Sequence, residues 1–209
     1  MIENCPLCLS SSFNFECKDE FTCCQNCNLI FRKPKSSFLG NGEKEHYLKH
    51  KNGPQFPGYV SFLKQAISPL LSYLQPSMKA LDFGCGPGPT IDSILHEYKI
   101  SCDNYDPFFF RDGIKSSEYN LIFATECVEH FHFPKNEFDK ILDLLKPQGY
   151  LSIMTELHPG LEKVSDWYYI KDPTHTTFFS NKTMKWLSEN FLLKTIYTDE
   201  KRIIVFQKP

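Results

Sequence analysis

From residue 58 onward the hydrophobic positions of this chain alternate between two periods. Residues 58–74 place Tyr59, Phe62, Leu63, Ala66, Ile67, Leu70 and Leu71 at helical spacing, with Pro69 as a kink or restart. Residues 80–83 form a short apolar run that stops at glycines, as a buried strand does on leaving a sheet. Ile91, Ile94 and Leu95 then repeat with a helical period across residues 90–98, and the next apolar stretch ends at Asp106. Residues 119–124 and 150–154 read as strands. Between them Phe138, Ile141, Leu142 and Leu145 predict a helix over 135–145, stopped by Lys146-Pro147-Gln148-Gly149. Ser180 or Asn181 suits the cap of a helix running through Trp186 and Leu187. Residues 191–197 and 202–206 predict a terminal antiparallel hairpin. Strand–helix alternation of this kind predicts an α/β fold with helices on both faces of a largely parallel sheet.

The candidate chemistry gathers where the strands end. Gly84, Gly86 and Gly88 give a loop without β-carbons, so a ligand can approach the backbone, and the helix after it can aim N–H groups at that ligand. Asp106, about 20 residues further on, stands where an acid usually holds a ribose hydroxyl. Strand, glycine loop, helix, strand and acid predict a nucleotide-type pocket at the carboxyl ends of parallel strands. The loop is G-x-G-x-G with Asp82 just before it, not G-x-G-x-x-G. An acid there repels pyrophosphate and suits a cationic ligand without phosphate.

Only residues 107–118 separate Asp106 from the next strand, too few for a helix and a strand, so that layer of the sheet is expected to be missing or reduced to a stub. Phe108, Phe109 and Phe110 fit either a stacking surface or core filling. The strand ending at Ala124 leads into Thr125-Glu126-Cys127-Val128-Glu129-His130. One helical turn there would set Glu126, Glu129 and His130 on a single face. Residues 166–180, dense in Trp, Tyr, Asp and His, read as a loop with aromatics packed beneath it, or, as the family resemblance given below implies, as part of an acceptor pocket.

The amino terminus has a different character. Cys5-Pro-Leu-Cys8 and Cys24-Gln-Asn-Cys27 are spaced as the two knuckles of a four-cysteine zinc site, leaving Cys17 and Cys23 as spares. Such a site has no open position, so its expected role is structural. Residues 32–57 are rich in Gly, Pro, Asn, Lys and Ser and read as a linker, whose polar patch at 45–52 would be surface or a lid over the pocket. The organisation expected is a ribbon over residues 1–35, a linker or lid over 36–57 and the main domain over 58–209.

Composition narrows the partners. With 41% hydrophobic and 15% aromatic residues the chain can fill a core. Lys+Arg 23 against Asp+Glu 25 supplies no basic excess, which makes a nucleic-acid partner unlikely. No run approaches the roughly 18 apolar residues of a membrane span, and no signal-peptide core opens the sequence. Nine cysteines without a signal point to metal in a cytoplasmic protein and not to disulfides. The partner expected is a small-molecule acceptor, with the oligomeric state left open.

The string L-D-F-G-C-G-P-G at residues 81–88 resembles the first motif of class I S-adenosylmethionine-dependent methyltransferases, and L-L-K-P-Q-G-Y-L-S-I-M-T at 144–155 resembles their late L-K-P-G-G motif. Together with the cysteine knuckles, Y-D-P-F, E-x-x-E-H and W-Y-Y-x-x-D-P-T-H, the succession resembles an uncharacterised bacterial group of that family with an amino-terminal zinc ribbon. The resemblance implies a Rossmann-like sheet with S-adenosylmethionine as cofactor, held by Asp82, Gly84, Cys85, Gly86, Gly88, Asp106, Pro107, Thr125 and Glu126. E-x-x-E-H with the distant His175 also resembles the metal-binding set of plant small-RNA 2′-O-methyltransferases, and E-x-x-E-H recurs in O-methyltransferases of the ubiquinone-biosynthesis type.

Three roles therefore stay open for this cluster. Glu126, Glu129, His130 and His175 hold a divalent ion (Mg2+, Mn2+ or Fe2+), or His130 or His175 is a general base, or Glu129 caps a helix while His130 packs. The expected reaction is methyl transfer to O or N of a small polar acceptor, with His130, His175 and Glu129 as catalytic candidates. An RNA-modifying enzyme or a non-catalytic adaptor is the alternative.

Overall fold

The computed structural model describes residues 4–11, 13–14, 21–32, 41–49 and 52–209. Cys17, His50 and residues 33–40 of the stretch read as linker lie outside them.

The main sheet has six strands: β4 (Lys79–Phe83), β5 (Ser101–Tyr105), β6 (Tyr119–Thr125), β7 (Leu145–Met154), β9 (Lys194–Thr198) and β10 (Ile203–Gln207). Their order is β5-β4-β6-β7-β10-β9, with β5, β4, β6 and β7 parallel and the β9/β10 hairpin antiparallel. Side chains alternate across each strand. Ala80, Leu121 and Phe123 pack with Leu63, Ala66 and Ile67 of α2 (Pro57–Ile67) and Ile94 of α3 (Ile91–His96). Leu81, Phe83, Ile122 and Ala124 face the other way, toward α4 (Pro134–Leu144) and α6 (Asn181–Asn190). Pro69 falls where α2 gives way to the 3-10 turn Ser68–Leu70, and Ser180 caps α6 in a capping box with Thr183.

The layer expected to be missing is absent. Residues 107–118 carry no strand and turn back beside β5. The Asp106 carboxylate caps this turn by accepting from the N–H groups of Phe108 (2.8 Å) and Phe109 (3.1 Å). Tyr119 anchors its far end, donating to Asp103 at 2.6 Å while accepting from the N–H groups of Lys115 and Ser116. One boundary differs from expectation. Residues 146–149 stop α4 but do not delay the strand, because β7 begins at Leu145 and bulges, pairing Tyr119 with Leu145 and Leu121 with Tyr150.

The amino-terminal part is not self-contained. Its strands β1 (Phe13–Asn14), β2 (Thr22–Cys24) and β3 (Ile30–Phe31) form an antiparallel sheet whose fourth strand, β8 (Thr177–Phe178), comes from far along the chain. Cys5, Leu7, Cys24, Cys27, Leu29 and Phe31 belong to the same apolar cluster as Leu81, Phe138 and Phe179. The segment read as linker includes a helix, α1 (Asn41–Tyr47). Among the described residues, no helix is long and apolar enough to cross a membrane.

Candidate active site

The carboxyl ends of β4, β5 and β6 surround a cavity of about 440 Å³, within the usual range for a small-molecule site. Gly84, Asp106, Pro107 and Glu126 of the expected cofactor set line it, as does His130. Asp82, Cys85, Gly86, Gly88 and Thr125 are not among its lining residues. Two backbone features explain the glycine loop. Gly84 has φ +84, and a β-carbon there would come within 2.5 Å of Cys127 Cβ. At Gly88 the chain's own Asn52 carbonyl makes the close approach, 2.5 Å from where a β-carbon would be. The Gly86 N–H is turned to Asp106 Oδ2 at 3.1 Å, which holds the loop against the acid on the neighbouring strand.

Asp82 is only 3% exposed, and its Oδ1 is buried without a hydrogen-bond partner. Burial, reinforced by the Asp92 and Asp106 carboxylates, pushes its pKa up to about 8. A buried acid with one carboxylate oxygen left without a partner is the feature expected where a cationic ligand completes the site. With the cavity size and Asp106 on its lining, these residues fit S-adenosylmethionine.

Glu126, Glu129 and His130 do not share a helical face, a correction to the sequence expectation. Glu126 adopts the left-handed conformation (φ +49), so the chain reverses before the 3-10 turn Val128–His130. Its carboxylate faces Arg202 Nη1 at 3.3 Å, and Arg202 Nη2 reaches Glu156 at 2.7 Å. Burial and the charge of Glu129 push the Glu126 pKa up to about 8, against the pull of Arg202.

Glu129, His130 and His175 do converge, with ligand atoms within 4.8 Å of one another, and Glu126 is outside the set. Glu129 is 1% exposed and accepts from Tyr169 Oη at 2.6 Å and Thr155 Oγ1 at 2.8 Å. His130 Nδ1 lies 3.2 Å from the Thr174 carbonyl, and His175 Nδ1 lies 2.8 Å from that of Tyr169. A carbonyl only accepts, so each neutral ring carries its proton on Nδ1 and leaves Nε2 as an acceptor. Burial and neighbouring His130 lower the His175 pKa.

Two residues of α1 line this cavity: Tyr47, from the patch read as surface or a lid, and Glu43, which the sequence reading did not single out. Glu43, only 5% exposed, and Tyr47 line it from α1, and the Tyr47 hydroxyl donates to Glu43 at 2.6 Å. The Tyr47 ring stands edge-on to His130 (5.1 Å) and packs on Phe108 (6.0 Å). His46, one residue earlier, meets Asp172 at 3.3 Å. The only signal was an aromatic and histidines in a polar stretch. Conversely, residues 166–180 do not line the cavity; Tyr169, Ile170 and Phe178 pack against Cys23 and Ile30 of the ribbon.

Cys5, Cys8, Cys24 and Cys27 converge, with Sγ–Sγ distances of 3.6 Å (Cys5–Cys27) and 3.4 Å (Cys8–Cys24). Four thiolates about 2.3 Å from a tetrahedral zinc stand about 3.8 Å apart, so little adjustment is needed. Hydrogen bonds from Cys27 and Cys5 hold the Cys24 thiol well below its ordinary range. Cys23 faces Asn28 instead, outside the cluster.

A family model described as a methyltransferase domain matches residues 57–197. The chain belongs to the class I S-adenosylmethionine-dependent methyltransferases. Solved structures share its fold. An S-adenosylmethionine-dependent methyltransferase from Archaeoglobus fulgidus aligns with TM-score 0.53 and 17% identity over 74% of this chain and 96% of that one. The cyclopropane synthase MmaA2 from Mycobacterium tuberculosis gives 0.53 and 14% over 72% and 66%. An O-methyltransferase family protein from Burkholderia thailandensis gives 0.51 and 13% over 85% and 65%. At these identities the likeness speaks for the fold alone. No curated protein matches the sequence. The enzyme is a methyltransferase that uses S-adenosylmethionine.

Proposed function

We propose that the protein transfers the methyl group to an oxygen or nitrogen of a small polar acceptor, with His130 as general base. The observation that carries this reading is the His130 ring, which lines the cavity with Nδ1 occupied by the Thr174 carbonyl and Nε2 left to take a proton. S-adenosylmethionine supplies an electrophilic methyl on a cationic sulfonium. Gly84, Asp106 and Pro107 border its place, and Asp82, Cys85, Gly86, Gly88 and Thr125 belong to the same expected cofactor set. Glu126 lines the same cavity, tied to Arg202. The acceptor proton passes to Nε2 as the acceptor's lone pair takes the methyl in line, and the buried surroundings hold the partners in alignment.

The lining supports a small acceptor over RNA, because it includes Glu43, Asp106, Glu126 and Glu137 but no Lys or Arg. We further propose that the four cysteines hold a structural zinc, that residues 1–35, 36–57 and 58–209 serve as ribbon, lid and catalytic domain, and that the protein is cytoplasmic.

One observation favours a second reading of the histidines. Ligand atoms of His130, His175 and Glu129 lie within 4.8 Å of one another, and both rings have the outer-shell carbonyl typical of metal-ligating histidines. A divalent ion held there would polarise an acceptor hydroxyl. Acceptor screening with tritiated cofactor, with and without chelator and Mn2+, separates the two. Activity indifferent to metal and lost in His130→Ala supports the base. Activity that needs the ion supports the second reading. No turnover with any amine or hydroxyl acceptor would favour a non-catalytic adaptor.

A further inference from the structure

Arg32 ties the ribbon to the strip that carries His175. Arg32, buried at the end of β3, donates through Nε to the carbonyl of His175 at 2.8 Å and through Nη2 to the carbonyl of Asp172. Its own N–H donates to the Thr176 carbonyl at 2.9 Å, and β3 pairs with β8 directly beyond, Phe31 with Thr177 and Ile30 with Phe178. The other edge of the same strip is fastened to the turn carrying Glu129 and His130. Thr176 N–H donates to the Glu129 carbonyl at 2.8 Å, Thr177 Oγ1 to the Val128 carbonyl at 3.0 Å, and His130 Nδ1 to the Thr174 carbonyl. Residues 172–178 are thus a strip held between ribbon and site.

The cysteines stand at the other end of this path. Cys24 lies on β2, which pairs with β3, and Cys27 lies in the turn joining them, closed by Cys24 N–H to the Leu29 carbonyl and Asn28 N–H to the Cys24 carbonyl. A parallel tie runs from the Asn28 carbonyl to His158 Nε2 (3.1 Å) and from Asn28 Nδ2 to Ser180 Oγ (3.0 Å). A segment too small for its own core takes its geometry from its metal.

We propose that the ribbon is a clamp on the Glu129–His130–His175 cluster, in which Arg32 is a positioning residue that sets His175 and the ion at the four cysteines sets Arg32. Two carbonyls three residues apart on one turn call for a forked, permanently charged donor; a lysine ammonium is a single point and spans them poorly. Without the guanidinium the His175 carbonyl loses its side-chain donor and the Asp172 carbonyl keeps only the His175 N–H at 3.3 Å, so the strip relaxes and the Nδ1–H bond from His175 to Tyr169 relaxes with it. The inference rests on the zinc and histidine readings above.

The test is the two-bond 15N–1H imidazole spectrum of the full chain, with His175 assigned by its loss in His175→Asn and His96 on α3 as internal reference. Wild type is expected to show His175 protonated on Nδ1. Arg32→Met should give averaged tautomers at His175 with His96 unmoved, zinc retained and affinity for S-adenosylhomocysteine within about twofold of wild type. Arg32→Lys should fall between, and stripping zinc from wild type with a chelator should reproduce the Arg32→Met pattern. An unchanged His175 pattern in Arg32→Met, or after chelation, would overturn the proposal, as would wild type purified without zinc. Should Arg32→Met not fold, Arg32→Lys and the chelated wild type decide. Failure to bind S-adenosylhomocysteine counts against the cofactor assignment alone, because the His175 signature does not depend on it.

Discussion

Gly84 and Cys127 pack the ends of two neighbouring strands so closely that a β-carbon on the glycine would sit 2.5 Å from Cys127 Cβ and 2.8 Å from its sulfur. The Cys127 thiol also donates to the Phe83 carbonyl at 3.1 Å. The first glycine of the loop is therefore demanded by the protein's own packing as well as by φ +84. Gly84→Ala combines left-handed backbone strain with overpacking and should cost about 2–4 kcal/mol in denaturant unfolding. Gly84→Ala together with Cys127→Gly should recover part of that loss. No recovery would mean that backbone strain alone is responsible.

Tyr169 and Glu129 form a buried hydrogen bond of 2.6 Å to a carboxylate that has Thr155 as its other partner. Tyr169→Phe leaves that oxygen short of a donor and should cost about 1.5–3 kcal/mol, the range for bonds to charged groups. Urea unfolding of the variant checks this, and a loss below the range would mean that water or a cation replaces the hydroxyl.

Asp82 gives a signed pH dependence. Its pKa of about 8 in the fold stands above its ordinary value of 3.8, so between those limits the folded state binds more protons than the unfolded one. Stability from this group is fully present below about pH 4 and is lost as pH rises through about 8. Asp82→Asn mimics the protonated form, so its stability relative to wild type should rise between pH 5 and pH 8. Unfolding at both pH values measures the difference, and a constant offset would contradict the assignment.

The cysteine cluster shares an apolar core with the main sheet, so its metal should stabilise the whole protein. Cys24→Ser should lower zinc content below that of wild type and reduce the thermal midpoint. Metal analysis and calorimetry check both, and full zinc occupancy in the variant would exclude Cys24 as a ligand.

What was legible in the sequence was local. The glycine stop after β4, the amphipathic period of α4, the terminal hairpin and the short interval after Asp106 each follow from residues a few positions apart. The illegible parts are contacts over long separations or to backbone. β8 is a two-residue strand whose partner lies nearly 150 residues earlier, and no periodicity announces it. Arg32 acts on carbonyls, which have no side-chain signature. The E-x-x-E-H spacing suggested one helical face, but a single left-handed residue at Glu126 separated its first acid from the rest. Glu43 and Tyr47 sit in a stretch whose polar composition reads as loop, yet α1 carries them onto the cavity.

The measurement that bears most directly on the central claim is calorimetric titration of the full chain with S-adenosylhomocysteine, with NADH as control. The predicted result is micromolar binding of S-adenosylhomocysteine, none of NADH, and marked weakening in Asp106→Ala. Absence of binding, or equal binding of NADH, would contradict the assignment of this cavity to the methyl donor.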